Sequence, residues 1–140
     1  MIRTKKGGHL VVISGPSGVG KSTVIAEVMH QRDNLVFSVS YTTRAPRAGE
    51  EDGVNYHFVD KAEFERMIRD GELLENTQYA GNYYGTALAD IQKFASQGLD
   101  VLLDIEVEGA SNVKRKVDNA VLIFVAPPSF EELSRRLHGR

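Results

Sequence analysis

The sequence contains no cysteine, only four prolines and no large excess of charge of either sign. Without thiols there are no disulfides, no thiolate catalysis and no cysteine-based zinc site, which fits a reducing compartment. Seventeen basic residues against nineteen acidic ones leave a net charge of -2, so no overall positive field draws the chain to nucleic acid or an anionic membrane. The four histidines, His9, His30, His57 and His138, show no pair at metal-ligand spacing. Arg3, Lys5 and Lys6 precede the apolar run Leu10 to Ile13. That run is shorter than the roughly 7 to 15 residues of a secretory signal and far shorter than the about 20 of a membrane span, so the expected location is cytoplasmic.

What remains is the composition of an average globular protein: 140 residues, 41% hydrophobic and 26% charged, with 13 glycines. A chain of this length buries roughly two-thirds of its unfolded surface, enough for one core without staples. Leu10 to Ile13 is continuously apolar and β-branched, and it stops at Ser14-Gly15-Pro16, as a buried parallel strand does. From Lys21 to His30, Val24, Ile25, Val28 and Met29 recur at helical spacing. Val101 to Leu103 and Val121 to Val125 read as further buried strands, with a helix over Gly109 to Val117 between them. Ser129 and Glu132 form a capping box for a last helix. The fold class expected is α/β, a parallel sheet flanked by helices.

Between these parts the texture changes. Val36 to Ser40 and Asn55 to Val59 are alternating or aromatic, and with helices at 61–69 and 87–96 they suggest a small mixed α+β insertion holding all five tyrosines. The expected division is therefore a core over 1–34 and 98–140 and an insertion over 35–97.

Gly15-Pro16-Ser17-Gly18-Val19-Gly20-Lys21-Ser22-Thr23 fits the phosphate-binding loop pattern G-x-x-x-x-G-K-[ST], placed between a strand and a helix as its mechanism demands. Its glycines let backbone N–H groups turn inward around phosphate oxygens, and the helix start adds its positive dipole end. Lys21 is placed to reach the β and γ phosphates of a bound nucleotide, and the Ser22 hydroxyl is a candidate Mg2+ ligand. A chance match in a chain this long is on the order of one in two hundred. Asp104, at the end of the strand Val101 to Leu103, is a second candidate near Mg2+, although acidic residues end many parallel strands. Glu106 and Glu108 follow on alternate residues, on one side if the chain stays extended.

The loop identifies a donor site and leaves the acceptor open. Arg44 and Arg47 flank Pro46 in a rigid fork suited to a phosphate dianion, and Tyr56 and the Gly81 to Thr86 segment supply hydroxyl donors. In order and spacing the phosphate loop, Thr42-Thr43-Arg44-Ala45-Pro46-Arg47-Ala48-Gly49-Glu50, Gly81-Asn82-Tyr83-Tyr84-Gly85-Thr86, Leu103-Asp104-Ile105-Glu106 and Ala126-Pro127-Pro128-Ser129 resemble the guanylate kinase family over essentially the whole chain. The arginine and double-tyrosine stretches are the specific ones, since many unrelated nucleotide hydrolases share the loop.

The resemblance implies an ATP-dependent, Mg2+-assisted kinase that phosphorylates GMP and dGMP, with the insertion as the GMP-binding part. Arg44, Arg47, Tyr56 and Tyr84 would hold the GMP phosphate; Ser40, Glu75, Thr86 and Glu106 would read guanine, with Asp104 beside them. Lys21, Arg44, Arg47 and Arg140 would be the catalytic set. Arg140 matches the first arginine of the lid into which family members continue, so this chain alone is expected to bind GMP better than it catalyses. The alternatives are a guanylate-kinase-like phosphopeptide-binding module without catalysis, for which an intact phosphate loop has little use, and a phosphate-loop kinase or GTPase with another acceptor.

Overall fold

The computed structural model describes residues 8–16 and 20–126. In chain order its elements are β1 (Leu10–Ser14), α1 (Lys21–Gln31), β2 (Leu35–Phe37), β3 (Tyr41–Thr42), β4 (His57–Phe58), α2 (Lys61–Arg69), β5 (Leu73–Tyr79), β6 (Asn82–Ala87), α3 (Leu88–Ser96), β7 (Asp100–Asp104), α4 (Val107–Lys116) and β8 (Val121–Phe124). Two four-stranded sheets result, a parallel one in the order β2-β7-β1-β8 and a mixed one in the order β4-β3-β6-β5.

The continuously apolar strands β1 and β7 take the two central positions of the parallel sheet, as buried strands must, because both faces lie under helices. On one face Leu10, Val12, Val101 and Leu103 pack with Ile91 of α3 and Ala110 and Val113 of α4. On the other, Ile13 and Leu102 meet Ile25 and Met29 of α1. The α/β class expected from the sequence is present, with a parallel sheet flanked by helices.

Four placements differ from the sequence reading. The segment Val36 to Ser40, assigned to the insertion, begins instead within β2, paired with β7 in the parallel sheet, so a whole strand of that sheet lies on the insertion side of the expected boundary at residue 35. Helix α3 likewise packs Ile91, with Leu88 and Phe94, against the parallel sheet. Both shifts have one cause: side-chain pattern records an amphipathic element without recording which sheet its apolar face meets. Strand β8, expected to be buried, is exposed at all four residues, from 42% at Leu122 to 59% at Phe124. Among the described residues it is the outermost strand, with β1 as its single neighbour. Val24, assigned to the apolar face of α1, is also exposed. The capping box at Ser129 and Glu132, and Arg140, lie outside the described residues, as do Ser17, Gly18 and Val19.

The mixed sheet is built on a hairpin that the sequence reading did not identify. Strands β5 and β6 pair antiparallel up to Tyr79 and Asn82, joined by Ala80 and Gly81, both at positive φ (52° and 82°). Two such residues in a two-residue loop match the twist of the flanking strands. The register shifts between Leu73 and Glu75, where β5 carries an extra residue. A bulge there explains why Leu74 and Glu75, consecutive in the strand, are both buried toward α4: Leu74 packs with Ala110 and Val113, and Glu75 Oε2 faces Gly109. Helix α2 covers this sheet, capped by Asp60 accepting from the Glu63 amide at 2.8 Å, with Phe64 stacked on Tyr83 at 4.9 Å.

Candidate functional site

Between the two sheets lies a cleft of about 600 Å³ lined by Gly15, Pro16, Lys21, Ser40, Arg44, Arg47, Tyr56, Glu75, Thr77, Tyr79, Tyr84, Gly85, Asp104, Ile105 and Glu106. Eleven residues named from the sequence meet there: Gly15, Pro16, Lys21, Ser40, Arg44, Arg47, Tyr56, Glu75, Tyr84, Asp104 and Glu106. They arrive from both sheets, and the ends of β1 and β7 carry the donor-side residues.

The chain leaves β1 through Gly15, where a side chain cannot fit: a Cβ would stand 2.4 Å from the Val125 carbonyl oxygen. Gly20, at φ 94°, then caps α1 in the left-handed region that favours glycine. Lys21 follows at once and turns back into the cleft. Its Nζ lies 2.9 Å from Asp104 Oδ1 and donates to the Gly15 carbonyl at 3.3 Å. Asp104 is in place for this because β7 runs beside β1 in register, Ile13 opposite Asp104. Ser22 and Thr23 occupy the exposed start of α1.

On the insertion side, Arg44 is held in the free protein. Its Nη1 donates to Glu50 Oε1 at 2.9 Å and its Nη2 to Glu50 Oε2 at 3.1 Å, while Glu50 also accepts from the Arg47 amide at 2.8 Å. This pairing holds the Glu50 carboxyl at about 2, below the usual carboxylate range, with the Arg44 hydrogen bond as the main cause and the Arg47 amide next. The Arg44 guanidinium stacks over the Tyr56 ring, 5.2 Å to the centroid, and Tyr56 meets Tyr84 edge to face at 6.0 Å. The Arg44 arm of the fork is therefore held by a carboxylate and the Tyr56 ring before any ligand arrives, a partnership that the spacing of Arg44 and Arg47 alone did not reveal.

Glu75 is the most enclosed charge of the cleft, with 3% of its surface exposed. Its Oε1 accepts a 2.9 Å hydrogen bond from the Thr86 hydroxyl. Burial, with Glu106 and Glu108 nearby, pushes its carboxyl up to about 7, against the opposing effects of the Thr86 hydrogen bond and of Lys116. Lys116 itself donates to the Leu74 carbonyl at 2.7 Å, tying the end of α4 to β5.

Two expectations are corrected here. Thr86 is fully buried behind Glu75 and is not among the residues that line the cleft; its hydroxyl donates to Glu75. Glu106 and Glu108 do not share one side of an extended chain, because Glu106 caps α4 and the backbone turns helical at Val107. Only Glu106 reaches the cleft. Thr77, Tyr79, Gly85 and Ile105 also line it, although the sequence assigns none of them a role in the site. Strand alternation from Glu75 through Thr77 to Tyr79 was the signal for the first two, and the bulge just before it obscured that alternation. Among the described residues no group of three or more histidine, aspartate or glutamate side chains could hold a metal alone, and no helix is long and apolar enough to cross a membrane.

A family model described as guanylate kinase matches residues 7–140. The chain is similar to the guanylate kinase of Thermobifida fusca, 53% identical over 132 residues, covering 94% of this chain and 67% of that one. It is likewise similar to that of Lactococcus lactis, 52% identical over 133 residues and covering 95% and 65%. The crystal structure of guanylate kinase from Anaplasma phagocytophilum superposes with a TM-score of 0.80 at 39% identity, over 97% of this chain and 68% of that chain. The chain thus spans about two thirds of the length of the relatives it matches. A phosphate loop and an arginine–tyrosine pocket facing each other across one cleft, together with this similarity along nearly the whole sequence, place the chain in the guanylate kinase family.

Proposed function

We propose that this protein transfers the γ-phosphoryl group of ATP to the phosphate of GMP, giving ADP and GDP, and accepts dGMP through the same base and phosphate contacts. The observation that carries this reading is the single cleft in which Lys21 and Gly15, at the donor end, face Arg44, Arg47, Tyr56, Tyr84 and Glu75.

An oxygen of the GMP phosphate attacks the γ-phosphorus, and the bond from that phosphorus to the bridging oxygen breaks, so that its electron pair leaves with ADP. The acceptor is already ionised and no general base is needed; positioning and charge neutralisation carry the rate. Lys21 exchanges Asp104 for the β and γ phosphates. Arg44, oriented by Glu50 and stacked on Tyr56, neutralises the GMP phosphate together with Arg47 so that two anions can approach. Glu75 accepts from guanine N1–H and the 2-amino group, a donor pair that adenine lacks, Ser40 donates to O6, and Thr86 fixes the Glu75 carboxylate. Sites built on such hydrogen bonds discriminate by roughly 10^4 or more.

Magnesium suits this donor set, since it binds through one or two protein oxygens and otherwise through phosphates and water. Asp104 and Ser22 are the residues that would hold it. Bound there, the ion would neutralise the charge of the donor phosphates.

In an ADP-release assay with ATP and Mg2+, we expect release to depend on GMP and to stay near background with AMP. Equal release with either nucleotide, or with neither, would overturn the proposal.

A further inference from the structure

Gly109 lies in the first turn of α4, a buried helical position where glycine is the least favourable residue after proline. Its φ is not positive, so the backbone does not call for glycine there. The reason lies across the gap between α4 and β5. A Cβ on Gly109 would stand 2.8 Å from Glu75 Oε2, with Glu75 Cδ and Ile105 Cδ1 next at 3.4 Å. The other carboxylate oxygen, Oε1, is held by Thr86. Glu75 is thus confined from two sides, by a hydroxyl from β6 and by the bare backbone of α4.

We propose that Gly109 is a positioning residue for guanine recognition: the missing side chain leaves the space in which the Glu75 carboxylate lies, and so sets the direction in which that carboxylate faces the base. The inference rests on the reading of Glu75 given above. A methyl group at position 109 meets, as its one contact under 3 Å, the far end of a flexible side chain. The carboxylate therefore moves and the helix does not. A displacement of several tenths of an ångström breaks the simultaneous alignment with N1–H and the 2-amino group that a bidentate contact requires.

The test is calorimetric titration of the full chain with GMP, with IMP, which lacks the 2-amino group, and with ATP, for the parent, Gly109→Ala, Glu75→Gln, Glu75→Ala and the Glu75→Ala/Gly109→Ala pair. Gly109→Ala should weaken GMP about tenfold or more, narrow the preference for GMP over IMP, and leave ATP binding within about twofold. With the carboxylate already gone, the same substitution should change GMP binding less than about twofold and raise the melting temperature, because alanine suits a helix better.

If Glu75→Gln weakens GMP while Gly109→Ala does not, the inference fails and the guanine reading stands. If neither variant changes GMP binding, that reading fails and takes the inference with it. An equal loss from Gly109→Ala in both backgrounds would mean general distortion of α4 and would overturn the inference. Should Gly109→Ala alone not fold, folding of the double variant supports the inference, and failure of both contradicts it.

Discussion

Replacing Glu75 by glutamine should weaken GMP binding by about 100-fold or more and, in the same protein, raise the melting temperature at pH 8. The carboxylate is 3% exposed and its carboxyl is pushed up to about 7 chiefly by burial. Its folded value thus lies above the unfolded one, and for an acid this means that the protonated form suits the fold. The associated stability is fully present below about pH 4.5 and is lost as pH rises through about 7. A neutral isostere removes the cost of a buried charge above that range, worth up to about 3 kcal/mol for a shift of this size. For GMP the sign reverses. Two N–H donors favour the ionised carboxylate, so binding draws the proton off Glu75, and affinity falls as pH drops below about 7. Glutamine would set an amide N–H against one of those donors and leave it unpaired, which accounts for the large loss. Titrations at pH 6.5 in buffers of different ionisation enthalpy read the released proton. The GMP phosphate, which itself titrates near pH 6, is corrected for by the same titration of the glutamine variant. Unchanged GMP affinity in Glu75→Gln would remove Glu75 from base recognition. A lower melting temperature at pH 8 would contradict the account of its burial.

Lys21→Met should reduce ADP release by about 100-fold to 1,000-fold and weaken ATP binding, while GMP affinity stays within about twofold. Its ammonium is the one group at the donor end that both touches Asp104 and follows the phosphate loop directly. Without it, Asp104 faces the incoming phosphates uncompensated and repels them. Fold stability should change little, because the two side chains are 21% and 29% exposed, and an ion pair so open to solvent contributes about 0 to 1 kcal/mol. A melting temperature within about 4 °C of the parent, measured beside the ATP titration, separates loss of function from loss of fold. Near-parental ADP release by Lys21→Met would exclude the proposed donor site.

The donor half was legible in the sequence because its signals are local. A continuous apolar run gives β1, the glycine pattern follows within a few residues, and Lys21 opens the helix. The acceptor half depends on chain pairing that no short window contains. The hairpin β5–β6 turns on Ala80-Gly81 and not on a strong Asn-Gly signal, its first strand is polar from Glu75 to Gln78, and a bulge breaks the alternation. Nothing local separates Glu75 from Glu72; that choice came from resemblance to the family, and the structure places Glu75 buried and Glu72 exposed. The grip of Glu50 on Arg44 spans six residues of one loop, whereas the retreat of Thr86 behind Glu75 and the approach of Gly109 to Glu75 join residues only through the fold. The exposure of β8 was likewise invisible, since an apolar strand reads alike at the centre of a sheet and at its edge.

In the proposed function one cleft reads guanine and the phosphate of a mononucleotide together, and titrating the protein with GMP, AMP and guanosine at pH 8 separates the two contacts. GMP should bind at least about 100-fold tighter than AMP, through Glu75 and Ser40, and about 10-fold to 100-fold tighter than guanosine, through Arg44 and Arg47. Equal affinity for GMP and AMP, or for GMP and guanosine, would contradict it.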